Sequence, residues 1–399
     1  MQLVKKYNLE TENIFTWAQG DGGPSPHPVR GGIAYYWLGK EKQMLRYDDD
    51  HKELQHLNGL LSEIENADLT GFNDHHSVSD YLKAKGVKET FLSLADAGFA
   101  NTLCHNLAEL PLIPTVNLFK QFGKDGEGEY RVVPAMLEVI KALAKNVTHK
   151  LNWEVRKIAY KGKVCEVTNA KGETIRATRV VVTVPPPILI DQDIEFDPPL
   201  PKEKVNALRA IRFEPCFKLA IRFSRRFWPK DLHGVICSHS VIPEWWSLPT
   251  LDAKPGKKFQ DQILVGFTSS NYSRNMYKLT RDEQIRQSLQ QLDHMFGTAA
   301  DPRPATDSYV DIATKDWTDD RFIRGGYSAP GFHNTEEVRR RIAAPVNDKI
   351  FFAGEHTHAV RYMCAHSAVE SGDSVAEDIE KSFQREGLKG SARPITAKL

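Results

Sequence analysis

A lysine set in an apolar strand, and an acid set between a strand and a helix, are the two places where this sequence could do chemistry. Lys218 is flanked by Cys216, Phe217, Leu219, Ala220 and Ile221. A lysine in such a run must reach a surface or be held by a partner. On an edge strand it points at water; in a desolvated pocket its pKa falls. The second place is Lys349 to Gly372. Ile350, Phe351, Phe352 and Ala353 form an apolar run too short for a helix, so a buried parallel strand is expected. Gly354 allows a close backbone approach, and Glu355 puts a carboxylate at the strand's C-terminal edge. Ala365, Ala368, Val369, Gly372, Val375, Ile379 and Phe383 then recur at helical spacing, with Ser371, Asp373 and Glu377 facing out. Strand, glycine, acid and helix N-terminus together suit a cofactor rich in oxygens. The same arrangement also serves as an ordinary cap.

The elements that must position these residues are readable in outline. A helical fragment (Leu3, Val4, Tyr7, Leu9) precedes a loop around Gly20–Pro24, where Pro24, Pro26 and Pro28 forbid a helix. Helices are expected over 51–66, 77–108, 135–145 and 281–296, with Ser77 and Asp80 as an N-terminal cap. Val147, Leu151, Trp153 and Val155 alternate, so a strand is expected to begin near Val147. The runs 163–169 and 174–176 form a hairpin through Asn169-Ala170-Lys171-Gly172. Val180–Val184 reads as a buried strand ended by three prolines, and Phe217–Phe223 as the strand that carries Lys218.

The chain has 399 residues, 41% of them hydrophobic, 26% charged, and a formal net charge of +1. That length suggests two or more domains, and that charge gives no reason to expect nucleic acid or an anionic membrane as partner. Five scattered cysteines without a CxxC pair argue against a zinc site or a disulfide framework and fit a reducing compartment. No segment is long and apolar enough to cross a bilayer. The last three residues, Ala397-Lys398-Leu399, are a variant of the peroxisomal address read by an import receptor. The expected location is the peroxisome, with the cytoplasm as the alternative.

The string F-F-A-G-E-H-T followed by S-A-V-E-S-G resembles the last motif of the flavin-containing amine oxidase family, which includes monoamine oxidases, polyamine oxidases and histone-lysine demethylases. Further matches are Lys218 with Phe227-Trp228 nine and ten residues on, Trp317 with Tyr327 ten residues on, and the Val180–Pro187 strand. The resemblance implies an α/β, two-domain FAD-dependent fold. Residues 1–128 and 207–321 would form the substrate domain, 129–206 and 322–384 the FAD-binding domain, and 385–399 a flexible tail. It implies that Glu355, with Gly354 before it, binds the ribityl chain of FAD and that Val155 presents its backbone to the adenine. Trp317 would lie near the flavin ring, Lys218 would hold a water against the reactive flavin nitrogen, and Tyr327 would form one wall of an aromatic cage around the amine. Gly326 and Ser328 flank Tyr327, where monoamine oxidases carry a flavin-linked cysteine close by, so FAD would be held non-covalently. The implied reaction oxidises an amine, with polyamines favoured, to an imine that hydrolyses to the aldehyde, while O2 becomes H2O2.

The sequence departs from the family at two points. Cys364 stands at the position of the second cage aromatic, with Tyr362 as a substitute only if the loop shifts. The family's opening strand-GxGxxG-helix unit has no counterpart here, so the dinucleotide-binding unit is incomplete and FAD should bind weakly. An L-amino-acid oxidase, with Arg361 as the carboxylate clamp, and a flavin-free interaction protein remain open readings. A demethylase would need a nuclear partner and the family's tower insertion, and neither has a sign here.

Overall fold

The computed structural model describes residues 2–15, 33–122, 129–133, 135–247, 262–333 and 335–387. Alternation of large apolar side chains builds its main feature, a seven-stranded sheet. Across the sheet the strands run Tyr309–Asp316, Cys216–Phe223, Ile263–Ser269, Glu244–Ser247, Leu232–Ser238, Ile33–Leu38 and Gln43–Arg46. Neighbours are antiparallel except Leu232–Ser238 with Ile33–Leu38, which is parallel. Period-two alternation sends Phe217, Leu219, Ile221 and Phe223 to one face, where they join Trp245, Leu289, Leu292 and Met295 in a buried core. Gly266 makes room there, since a Cβ on it would stand 3.1 Å from the ring of Trp245. The helix behind this core, Arg281–Phe296, begins with a capping box of Thr280 and Glu283.

The opposite face of the sheet carries the residues of interest. Register places Lys315, Lys218, Phe267, Glu244 and Ile236 opposite one another in one row across five strands. The Ile236 end is covered by the π-helical turn Asp96–Ala100, where Gly98 has no Cβ to clash with Ile236. The Lys218 end is open. That turn continues the helix Glu89–Ala95, and Ser77 with Asp80 forms the expected capping box at the start of Val78–Ala84. The single helical span expected over 77–108 is in fact broken, because Gly86 adopts φ +81 and ends the first helix.

A smaller group of elements surrounds a second core drawn from 158–211 and 342–352. Val155–Ala159, Cys165–Asn169 and Thr174–Ala177 form an antiparallel meander, joined in parallel by Glu195–Asp197. Its hairpin turns where expected: Gly172 has φ +83, and Asn169 Oδ1 accepts from the amides of Lys171 and Glu173. Ile350–Phe352 is the expected parallel strand, paired with Val180–Val182. Three expectations fail. Val180–Val182 is a strand, but Val181 is exposed and Val180 half-buried, so it is not the buried strand expected over Val180–Val184; among the described residues its one strand neighbour is Ile350–Phe352. The strand expected from Val147 begins only at Val155, and Val147 and Leu151 lie exposed before it, so their alternation meets no partner strand. Ser371, expected to face out from Ala365–Arg385, is buried because its hydroxyl accepts the amide of Gly354.

Candidate active site

Glu355 is the fixed point of the site. Behind it, Ile350, Phe351 and Phe352 are almost wholly buried, and the Ala353 amide bonds to Val182 O, so the strand end cannot drift. Gly354 has φ 136°, and a Cβ there would stand 2.7 Å from the His356 ring. The Glu355 carboxylate then gathers two other segments. Oε1 accepts from the Ser328 amide at 3.0 Å, and Oε2 accepts from Ser328 Oγ at 2.6 Å and the Met363 amide at 2.8 Å. Of about four acceptor sites on a carboxylate, one on Oε1 remains for a hydroxyl.

Arg339, which the sequence reading missed, supports this bracket from below. It is fully buried, and Nη1 donates to Ser328 Oγ at 3.1 Å and to His356 O at 3.0 Å. Its guanidinium carbon lies 3.4 Å from the centroid of the Tyr362 ring. Burial lowers its pKa to about 10. Burial, with the nearby cations Arg339 and Lys204, lowers His356 to about 3, so the imidazole is neutral at ordinary pH. Tyr362 is thus buried and committed to Arg339, which removes it as a substitute cage wall.

Tyr327 links the bracket to the sheet. It precedes Ser328, and its hydroxyl donates to the backbone oxygen of Thr102. Burial pushes its pKa well up, with Cys104 and Cys216 beside it adding to the rise. The loop before it is laced to the Lys218 strand: Trp317 N bonds to Cys216 O, Gly325 N to Trp317 O, and Gly326 N to Glu214 O, each at 3.0 Å. Gly326 has to be small, since a Cβ would come within 2.9 Å of Cys216 Cβ.

Lys218 rises from the open face two residues beyond Cys216. Its Nζ lies 4.6 Å from the ring centroid of Trp246 and 5.8 Å from that of Phe267, and those two rings stack at 5.7 Å. Burial of the head lowers its pKa, against the raising effect of Cys216 and Glu244. Directly opposite, Lys315 bonds to Asp320 and lies 4.7 Å over the Trp317 ring. Lys218, Trp317, Tyr327, Gly354 and Glu355 therefore belong to one connected region. Val155 stands apart, half-buried in the smaller meander with Asn169 as its strand partner.

Glu244 was also missed. It is buried, and it accepts from Asn101 Nδ2 at 3.2 Å and Trp246 Nε1 at 3.0 Å. Burial raises its pKa to about 7, and its hydrogen bonds and Lys218 oppose the rise. The legible signal was an acid inside the strand E-W-W-S, two residues from Trp246 and therefore on its face. For Arg339 the signal was spacing: it sits three residues before Ile342, on the apolar side of Glu336–Ala343.

The flavin end of a dinucleotide fits these residues. Beside the spare acceptor on Glu355, Arg339 Nε and Nη2 and Ser367 Oγ are buried without a hydrogen-bond partner among the described residues. The helix Ala365–Arg385 also starts without a side-chain cap. No glycine-rich strand-to-helix turn for the pyrophosphate occurs among the described residues, nor any cluster of His, Cys, Asp or Glu placed for a metal ion. A groove of about 650 Å³ on the outside of Arg281–Phe296 is lined by none of the site residues.

The chain belongs to the flavin containing amine oxidoreductase family, whose pattern matches residues 41–380. It is 28% identical over 253 residues to probable polyamine oxidase 4 of Arabidopsis thaliana, covering 62% of this chain and 48% of that protein. It is 28% identical to lysine-specific histone demethylase 2 of Homo sapiens over 60% of this chain and 28% of that protein. It is 30% identical to the peroxisomal N(1)-acetyl-spermine/spermidine oxidase of Bos taurus, over 50% of this chain and 42% of that one. The chain spans about half the length of the polyamine oxidases it matches. Among solved structures, putrescine oxidase bound to putrescine superposes with a TM-score of 0.74 at 19% identity, covering 95% of this chain and 85% of that one. Cyclohexylamine oxidase from Brevibacterium oxydans gives 0.72 at 17% identity, over 96% of this chain and 85% of that one. These likenesses establish the fold.

Proposed function

We propose that this chain carries the substrate side and the flavin-ring side of an FAD-dependent amine oxidase acting on polyamines. Residues 1–128 and 207–321 are assigned to the substrate lobe, 129–206 and 322–384 to the flavin lobe, and 385–399 to a tail. The observation that carries this reading is the single connected path from Glu355 through Ser328 and Tyr327 to Cys216 and Lys218. FAD, when bound, supplies the two-electron acceptor that takes a hydride from the carbon beside the amine nitrogen and passes electrons to O2, giving H2O2. Glu355 offers its remaining acceptor to a cofactor hydroxyl, and Gly354 lets the backbone come close. Lys218 orients a water or holds a proton at Nζ from the open face of the sheet. Tyr327 and Trp317 wall off the amine, and their rings attract an alkylammonium. Val155 is assigned to the adenine end.

Polyamines are favoured over amino acids because Arg361, the candidate carboxylate clamp, is already bonded to Glu370. A peroxisomal location suits a peroxide producer, and one relative is named as peroxisomal; Ala397-Lys398-Leu399 lies outside the described residues. The test is to purify the chain, add FAD, remove the excess and look for bound yellow flavin. Peroxide is then assayed with spermine, N-acetylspermine and L-amino acids. Flavin uptake with peroxide from the polyamines is expected. A chain that stays colourless favours the second reading, a flavin-free interaction protein, for which the exposed apolar stripe of Leu137–Ala144 also speaks.

A further inference from the structure

We infer that Glu244 and Trp246 are positioning residues for Lys218: the carboxyl anchors the indole, and the indole face seats the ammonium. Three observations meet here. Trp246 Nε1 donates to Glu244 Oε1 at 3.0 Å, which fixes the ring about its own axis. Phe267 stacks on that ring at an interplanar angle of 15°, which fixes its tilt. Lys218 Nζ then lies 4.6 Å from the ring centroid, inside the range for attraction between a cation and an aromatic face. Glu244 is itself held by Asn101 Nδ2, and Asn101 Oδ1 accepts the amide of Ser269 on the neighbouring strand. The seat is thus tied to the sheet at both ends, and a free lysine stem becomes a directed amine.

The charge of that amine depends on its surroundings as well as its seat. Lys315, paired with Asp320, faces it from one side and Glu244 from the other, with Cys216 on its own strand and Tyr327 and Cys104 beyond. Above about pH 7 Glu244 is ionised and favours the ammonium.

This inference deepens the oxidase reading, because a seated amine matters to catalysis only if Lys218 works on the reaction. The test needs no flavin. The full chain is reductively methylated with 13C-formaldehyde, and the Lys218 signal is identified by its loss in Lys218→Arg. In the wild type that signal is expected upfield of the exposed lysines through the Trp246 ring current. Trp246→Leu removes the displacement. Glu244→Gln keeps the shape but lowers the pH at which Lys218 titrates by about one pH unit. Trp246→Phe, which keeps a ring and deletes the indole N–H, reduces the displacement and covers the case in which Glu244→Gln fails to fold. A Lys218 signal unmoved in folded Trp246→Leu, or a titration unchanged in folded Glu244→Gln, overturns the assignment. Failure to take up FAD would sink the oxidase reading and leave these spectra as they are.

Discussion

Adding one methyl group at Gly354 should do more harm than removing most side chains of the site. Its φ of 136° lies where only glycine is at ease, and the added carbon would meet His356 at 2.7 Å. His356 cannot yield freely, because Arg339 holds its carbonyl. Gly354→Ala is expected to cost about 3 kcal/mol, measured as a lowered urea midpoint with unchanged slope. A loss under about 1 kcal/mol would mean that the turn relaxes easily. Glu244 gives a pH signature of its own. The folded chain keeps its proton up to about pH 7, whereas the unfolded chain releases it near pH 4.3. Between these values the unfolded state binds fewer protons, so this contribution is complete below about pH 4.3 and lost as pH rises to about 7, on the order of 3 kcal/mol. Glu244→Gln should flatten that part of the stability curve relative to wild type, and parallel curves would contradict the assignment. Gly354, Glu355 and Lys218 were legible because each breaks an apolar run where breaking it costs energy. Glu244 and Arg339 left a fainter signal, a place on the apolar face of their element, and register and packing decide that these charges go inward.

At the scale of elements, periodicity served where a partner exists and misled where none does. Arg281–Phe296 and the Asn169–Gly172 hairpin are fixed by local chemistry, a capping box and a turn glycine. Val147 to Trp153 alternate as a strand would, yet alternation makes a strand only when a neighbour supplies hydrogen bonds. The helix Glu336–Ala343 shows a contact invisible in its own sequence. Its last carbonyls, of Arg341 and Ile342, accept Lys204 Nζ at 2.9 and 2.6 Å from another helix, and the ammonium also covers the Phe352 ring at 3.9 Å. Such a cation complements a helix C-terminus, although burial lowers the lysine's pKa to about 7. Between about pH 7 and 10.4 the unfolded chain therefore holds the extra proton, and stability rises with pH across that window. The change across that window is on the order of 4 to 5 kcal/mol. Lys204→Met should remove the rise while lowering stability overall, as two carbonyls lose their donor. Urea midpoints at pH 7 and pH 10 for both proteins check this, and an equal rise in the variant would rule Lys204 out.

On the scale of the whole molecule, the core behind the seven-stranded sheet and the smaller core drawn from 158–211 and 342–352 are unequally covered. The sheet that carries Lys218 has a helix behind it and a helical lobe over one end, whereas the stretch 136–151 leaves apolar surface in water. Met136, Leu137, Ile140, Val147 and Leu151 are 56%, 56%, 57%, 58% and 80% exposed. Parallel strands are normally buried within larger sheets, yet among the described residues Ile350–Phe352 and Val180–Val182 pair only with each other. Apolar area at this density, beside unpaired strand edges, drives association. The chain is therefore expected to self-associate reversibly at micromolar concentration and to bind an apolar dye while its near-ultraviolet spectrum stays native. Leu137→Glu with Ile140→Glu should shift sedimentation toward the monomer and cut dye binding severalfold. Because both side chains are exposed, the double variant should change the urea midpoint by no more than about 1 kcal/mol in stability. A larger loss would show that these side chains are packed in solution after all. A wild-type chain that stays monomeric and binds no dye at any concentration would show that this surface is tolerated, and the uneven covering of the two cores would then have no consequence for association.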